Sequence, residues 1–124
     1  MENKKRILII DDDENICKLL DSRLKSWGFD TDIARDGKSG LDKIFHNPPD
    51  LVILDLKLPA LPGEEICRQI RKNETTAKIP VIMLTGKTDD VDRVVGRVIG
   101  ANIYLTKPFK PEDLFNGINQ LIKS

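Results

Sequence analysis

Apolar side chains along this chain fall into short continuous runs separated by longer stretches of helical period. Residues 7–10, 51–54 and 81–84 are the strongest runs, and residues 31–34 and 103–105 are weaker ones. Continuous runs rich in β-branched residues suit strands buried on both faces of a parallel sheet. Between them, Ile16, Leu19, Leu20, Leu24 and Trp27, and later Val91, Val94, Val95, Val98 and Ile99, each place one apolar stripe on a helix. Leu114, Ile118, Leu121 and Ile122 repeat the pattern near the C-terminus, while Leu41, Ile44 and Phe45, and then Ile66 and Ile70, mark two shorter helices. Punctuation agrees with this reading. Trp27-Gly28 closes the first helix, Asp36-Gly37 and Asn47-Pro48-Pro49 bracket the second, Pro62-Gly63 opens the third and Ile99-Gly100 closes the fourth. Strand then helix, five times over, predicts an α/β fold: a doubly wound, five-stranded parallel sheet with five helices on its two faces, since right-handed crossovers put helices on either side.

Length and charge narrow the class. A chain of 124 residues is expected to be one domain, 1–124, able to bury most of its apolar side chains in one core. Lys plus Arg and Asp plus Glu number 20 each, so no global field draws nucleic acid or an anionic membrane, and any partner must be found by a local patch. The longest apolar runs are far too short to cross a bilayer, and the opening Met-Glu-Asn-Lys-Lys-Arg lacks a signal peptide's apolar stretch, which makes a cytoplasmic location the expectation. Cys17 and Cys67 have no CxxC spacing and His46 is the single histidine, so the thiols are expected to be reduced packing groups and not zinc ligands.

The chemistry lies where strands end. The first runs into Asp11, Asp12 and Asp13, the third into Asp55, the fourth into Thr85 and the fifth into Thr106 and Lys107. Doubly wound sheets bind ligands outside the carboxyl ends of their strands, where strand order reverses. If the first and third strands flank that point, Asp11, Asp12 and Asp55 converge. Carboxylates about 4 Å apart repel by about 4 kcal/mol per pair at an effective dielectric near 20. A divalent cation is the natural compensation, and a donor set of oxygens without histidine or cysteine favours Mg²⁺ or Mn²⁺ over zinc. Lys107 offers a second positive charge. Such a pocket is suited to taking up a phosphoryl group: Asp55 attacks phosphorus, cations offset the charge on the phosphoryl oxygens, and Thr85 donates a hydrogen bond to one of them. Taken singly, each feature has a plainer reading. The acidic run suits a solvated helix start, Asp55 a loop or capping residue, Thr85-Gly86 a turn, and Tyr104 a packed edge-strand aromatic.

Four segments then carry a family resemblance. Residues 7–13 (ILIIDDD), 50–59 (DLVILDLKLP), 80–86 (PVIMLTG) and 100–109 (GANIYLTKPF) resemble, in order, the signature segments of response-regulator receiver domains of two-component phosphorelays. The resemblance implies a flavodoxin-like sheet of order 2-1-3-4-5, with Asp55 as phosphoacceptor and metal ligand. It also implies Asp12 as a direct ligand of Mg²⁺, Asp11 as a ligand acting largely through water, and the backbone carbonyl of Lys57 as a further ligand, with Asp13 a bystander. Lys107 would contact the phosphoryl group, and Lys107–Pro108 would be a cis peptide. Thr85 and Tyr104 would form a switch that alters the surface of the fourth helix, fifth strand and fifth helix. The implied partners are a histidine kinase or histidine phosphotransfer protein upstream and a protein target downstream, with no direct nucleic acid and no membrane; the output is binding, not turnover.

Some positions depart from that pattern. Lys57 and Lys87 place two ammonium groups at the pocket rim, and Lys57 is expected to slow loss of the phosphoryl group by hindering the approach of water. Asn102-Ile103 and the last helix lack the Asp pair and arginine that many DNA-binding receivers use for symmetric dimers, so a monomer or weak dimer is expected. A degenerate receiver acting as a phosphorylation-independent protein-binding module is the alternative. A haloacid-dehalogenase-like phosphatase would need a second Asp where Lys57 stands, and a flavin carrier would need a phosphate cradle where three aspartates stand. Trp27, the single tryptophan, is the candidate reporter for a Mg²⁺ titration.

Overall fold

Residues 4–86 and 100–122 are described by the structure, a computed structural model. Strands β1 (Arg6–Ile10), β2 (Asp30–Ala34), β3 (Leu51–Asp55), β4 (Val81–Thr85) and β5 (Ile103–Thr106) alternate with helices α1 (Glu14–Ser26), α2 (Gly37–His46), α3 (Gly63–Lys72) and α4 (Pro111–Leu121). The expected helix over residues 91–99 lies outside the described residues, as does Lys87. All five strands pair in parallel, in the order β2-β1-β3-β4-β5.

Parallel pairing explains the composition of the runs. β3 and β4 are buried along their whole length, and β1 is buried from Ile7 onward, because helices cover both faces. Side chains alternate across the sheet. Leu8, Ile10, Val52, Leu54, Val81 and Met83 meet Leu41 and Ile44 of α2 and Ile66, Cys67 and Ile70 of α3. Ile7, Ile9, Leu51, Ile53, Ile82 and Leu84 meet Cys17, Leu20 and Leu24 of α1 and Leu114 and Ile118 of α4. The outer strands β2 and β5 are only partly buried, which is why their apolar runs are the weaker ones in the sequence.

Helix ends follow local chemistry. Asp13 caps α1, its carboxylate accepting from the backbone N–H groups of Asn15 and Ile16, and Asp36 caps α2 by accepting from Ser39 N–H. The bystander role expected of Asp13 is therefore a capping role. Gly28 closes α1 with a φ of 93°, a left-handed conformation that a side chain would strain. Cys17 and Cys67 are free and buried, and burial pushes both thiols above their ordinary pKa, as expected of packing groups. Among the described residues no helix is long and apolar enough to cross a membrane.

Candidate metal and phosphoacceptor site

The strand order puts the switch point between β1 and β3. Ile10 pairs with Leu54, so the residues that follow them, Asp11 and Asp55, emerge side by side at the carboxyl edge of the sheet. Carboxylate oxygens of Asp11, Asp12 and Asp55 lie within 4.8 Å of one another. Asp11 is fully buried, Asp55 is 7% exposed and Asp12 is exposed at the rim.

Each carboxylate is held differently. Asp11 Oδ1 accepts from Asp13 N–H at 2.9 Å, and its Oδ2 accepts from Lys107 Nζ at 3.2 Å. The same Nζ lies 3.3 Å from Asp55 Oδ1, so Lys107 bridges the two buried acids. The chain after β3 folds back over the site, with Lys57 N–H donating to Asp55 Oδ1 at 3.4 Å. The backbone N–H of Lys107 donates to Thr85 O at 2.6 Å and holds the residue beside the pocket, and the Lys107–Pro108 peptide is cis, as the sequence resemblance implies.

Electrostatics follow from this packing. Burial, and next the Asp11 charge, push the Asp55 carboxyl up to about 6, against the opposing pull of Lys107. Burial disfavours the charge on Lys107, but Asp55 and Asp11 outweigh it and hold the ammonium above its usual pKa. One lysine cannot balance three converging carboxylates, and a divalent cation would cancel the remaining two negative charges. The donors present are all oxygens, the set that suits Mg²⁺ or Mn²⁺. Both oxygens of Asp11 already accept hydrogen bonds, which fits a ligand acting through water, whereas Asp12 at the rim is open to direct coordination.

Thr85 and Tyr104 occupy related places. Thr85 pairs with Thr106 and Met83 with Tyr104, so Thr85 and Tyr104 lie on one face of the sheet as diagonal neighbours. Thr85 is 2% exposed at the end of the strand beside Asp55, and Tyr104 packs partly buried against the core beneath α2 and α3. The structure thus gathers Asp11, Asp12, Asp55 and Lys107 into one pocket, sets Thr85 on the adjoining strand end, and keeps Tyr104 one step behind.

Sequence reasoning missed three residues, two beside this pocket and one at the opposite end of the sheet. Arg35 follows β2, and its Nη2 donates to the carbonyl of Asp12 at 2.7 Å; its place at the end of the second strand is the signal in the sequence that marks it. Gly63 places the start of α3 directly against the Asp55-Leu56 peptide, with Gly63 N–H donating to Leu56 O at 2.9 Å. Arg71 ties α3 to the segment leading into β5. Trp27 caps the far end of α1, about 20 Å of helix from the acidic cluster, so it is a poor reporter of metal there.

Comparison with known proteins points the same way. Residues 7–119 match the family described as the response regulator receiver domain. The response regulator ArlR of Staphylococcus saprophyticus is 43% identical over 118 residues, 95% of this chain and 52% of that protein. The DNA-binding response regulator MtrA of Mycobacterium leprae is 43% identical over 111 residues, 90% of this chain and 48% of that protein. The chain thus spans about half the length of these curated relatives. Among solved structures, a response regulator receiver domain from Clostridium thermocellum superposes with a TM-score of 0.89 at 35% identity, covering 95% of this chain and 94% of that one. The Vibrio cholerae chemotaxis protein CheY4 gives a TM-score of 0.88 at 28% identity, covering 97% and 100%.

Proposed function

This chain belongs to the response-regulator receiver family of two-component systems, and from that premise we propose that it accepts a phosphoryl group on Asp55 in a Mg²⁺-dependent reaction. The observation that carries the proposal is the pocket itself: three carboxylates with oxygens within 4.8 Å of one another, the two buried ones bridged by Lys107, at the carboxyl ends of β1, β3 and β5. Asp12, Asp55, the carbonyl of Lys57 and, through water, Asp11 would hold the cation. When bound, Mg²⁺ supplies positive charge for the oxygens of the incoming phosphoryl group. An Asp55 carboxylate oxygen attacks phosphorus, the new O–P bond forms as the P–N bond to the donor imidazole breaks, and the electron pair leaves on that imidazole nitrogen. Lys107 neutralises charge on the transferred group, and Thr85 donates its hydroxyl to a phosphoryl oxygen. Thr85 and Tyr104, on one face of the sheet, then move together and change the surface near β5 and α4.

The donor in this proposal is a phosphohistidine on a kinase or phosphotransfer protein, the output is a protein contact, and the setting is the cytoplasm. DNA binding appears in the name of a relative of which this chain spans about half; the balanced charge here supports no direct nucleic-acid role for these residues. In this proposal residues 1–124 form one receiver domain.

Incubation with Mg²⁺ and acetyl phosphate, followed by intact-mass measurement, tests the reading. The protein gains one phosphoryl group, Asp55→Asn gains none, and chelating the metal abolishes the gain. No gain in the wild-type protein would favour the phosphorylation-independent binding module. Asp12→Asn weakens Mg²⁺ binding about tenfold or more, measured by calorimetry because of Trp27's position. An unchanged affinity removes Asp12 from the ligand set.

A further inference from the structure

Among the described residues Arg71, near the C-terminal end of α3, has no carboxylate partner, and its guanidinium is fully used. Its Nε and Nη2 donate to Gly100 O at 3.0 and 2.7 Å, and Nη1 donates to Ala77 O at 3.0 Å and Ile79 O at 2.6 Å. Nη2 also donates to Asn102 Oδ1 at 2.9 Å. Five N–H groups in a rigid planar fork thus meet acceptors on two segments that approach the sheet: 77–79, which leads into β4, and 100–102, which leads into β5. Asn102 is itself locked to β4, since its Oδ1 accepts from Val81 N–H at 2.8 Å and its backbone N–H donates to Val81 O at 2.9 Å. Gly100 completes the fit. Its φ is 100°, and a Cβ there would stand 3.0 Å from Arg71 Nε and 3.1 Å from Cγ.

We propose that Arg71 is a positioning residue for the Thr85–Tyr104 switch: it fixes the root of β5 to α3, so that Tyr104 occupies one place until Asp55 is phosphorylated. Asn102 lies two residues before Tyr104, and β5 is a half-buried edge strand with a neighbour on one side only. Without Arg71 the root of β5 keeps its Asn102–Val81 hydrogen bonds and its ladder with β4 but loses its tie to α3. Tyr104 then samples its alternative places without a phosphoryl group, and the difference between the two states shrinks. The inference rests on the reading of Thr85 and Tyr104 as a switch.

Tyr104 is the single tyrosine, so the full chain labelled with 3-fluorotyrosine gives one ¹⁹F resonance from the switch. Spectra of wild type, Arg71→Ala and Arg71→Lys are compared before and after Mg²⁺ with acetyl phosphate, with phosphoryl uptake followed by intact mass. Lysine keeps the charge and the stem but cannot bridge the two segments, and it serves if the alanine variant does not fold. In wild type the resonance moves on phosphorylation. In the folded variant, Asp55 takes up phosphate within about twofold of the wild-type rate, yet the unphosphorylated resonance is already displaced or broadened, and the phosphorylation-dependent movement falls to half or less. A variant whose resonance coincides with wild type in both states overturns the proposal and leaves the phosphoacceptor reading intact. Absence of phosphoryl uptake by wild type overturns both, and uptake without any movement of Tyr104 overturns the switch and this inference with it.

Discussion

In metal-free buffer at pH 7.5, Asp55→Asn melts roughly 5–10 °C above the wild-type protein. The Asp55 carboxyl is raised from 3.8 to about 6 by burial and by the Asp11 charge, so the folded protein binds a proton that the unfolded chain has already released between those values. Stability therefore falls as pH rises from about 4 to about 6, and above that window the folded state carries a penalty on the order of 3 kcal/mol. Asparagine has the same shape without the charge. The pull of Lys107 on the Asp55 charge is already included in that penalty, so the net gain of the variant is on the order of 2–3 kcal/mol. Two further signs follow. The advantage of the variant shrinks as pH is lowered through 6 toward 4, where wild-type Asp55 is protonated and neutral. It also shrinks when Mg²⁺ is added, because a cation bound in the folded state stabilises the wild-type pocket by mass action. Thermal melts of both proteins across that pH range, with and without Mg²⁺, read the effect as a difference, which cancels the titration of groups common to the two. An Asp55→Asn variant no more stable than wild type in chelator at pH 7.5 would mean that the buried carboxylates do not repel as this geometry requires.

Gly63→Ala is expected to destabilise the fold by about 2–4 kcal/mol and to slow phosphorylation about tenfold or more. The cause is contact, since the residue is helical and no unusual backbone angle is involved. A Cβ at Gly63 would collide with the Asp55 carbonyl oxygen and lie 2.9 Å from Leu56 Cα, both backbone atoms. A flexible side chain could turn away; these atoms move only if α3 or the end of β3 moves. A shift of the strand end carries the Asp55 carboxylate away from Lys107 and from Asp12, and a shift of α3 breaks the Gly63–Leu56 hydrogen bond that holds the chain just after the acceptor. The urea midpoint and the acetyl phosphate reaction rate test the two halves separately. A stability change within about 0.5 kcal/mol, the range of an ordinary surface substitution, would refute the close approach of α3 to the acceptor peptide.

Both expectations concern residues that the chain displays openly, yet only one was legible without coordinates. Asp55 could be found because it ends a continuous β-branched run, and a parallel sheet gathers such ends along one edge. Asp11, Asp12, Thr85 and Lys107 were legible by the same rule, and the structure gathers the three acids with Lys107. The elements were legible for a related reason: burial on both faces leaves β1, β3 and β4 almost no polar positions, and one-sided burial gives the helices their stripes. Gly63 reads as punctuation at a helix start, because nothing local records what approaches a glycine from elsewhere in the chain.

The order of hydrophobic and polar residues by itself determined the alternation of strands and helices, the sheet's two-sided core and the identity of the acids at its edge, since each depends on neighbours a few positions away. Tertiary structure alone decided that Lys107 bridges Asp11 and Asp55, that Arg35 reaches the carbonyl of Asp12, and that Arg71 saturates its guanidinium on Gly100, Ala77, Ile79 and Asn102. The contacts of Arg35 with Asp12, of Arg71 with Gly100 and of Lys107 with Asp11 join residues separated by 23, 29 and 96 positions, and their partners are in part backbone oxygens, which every residue carries and which therefore leave no mark in a sequence.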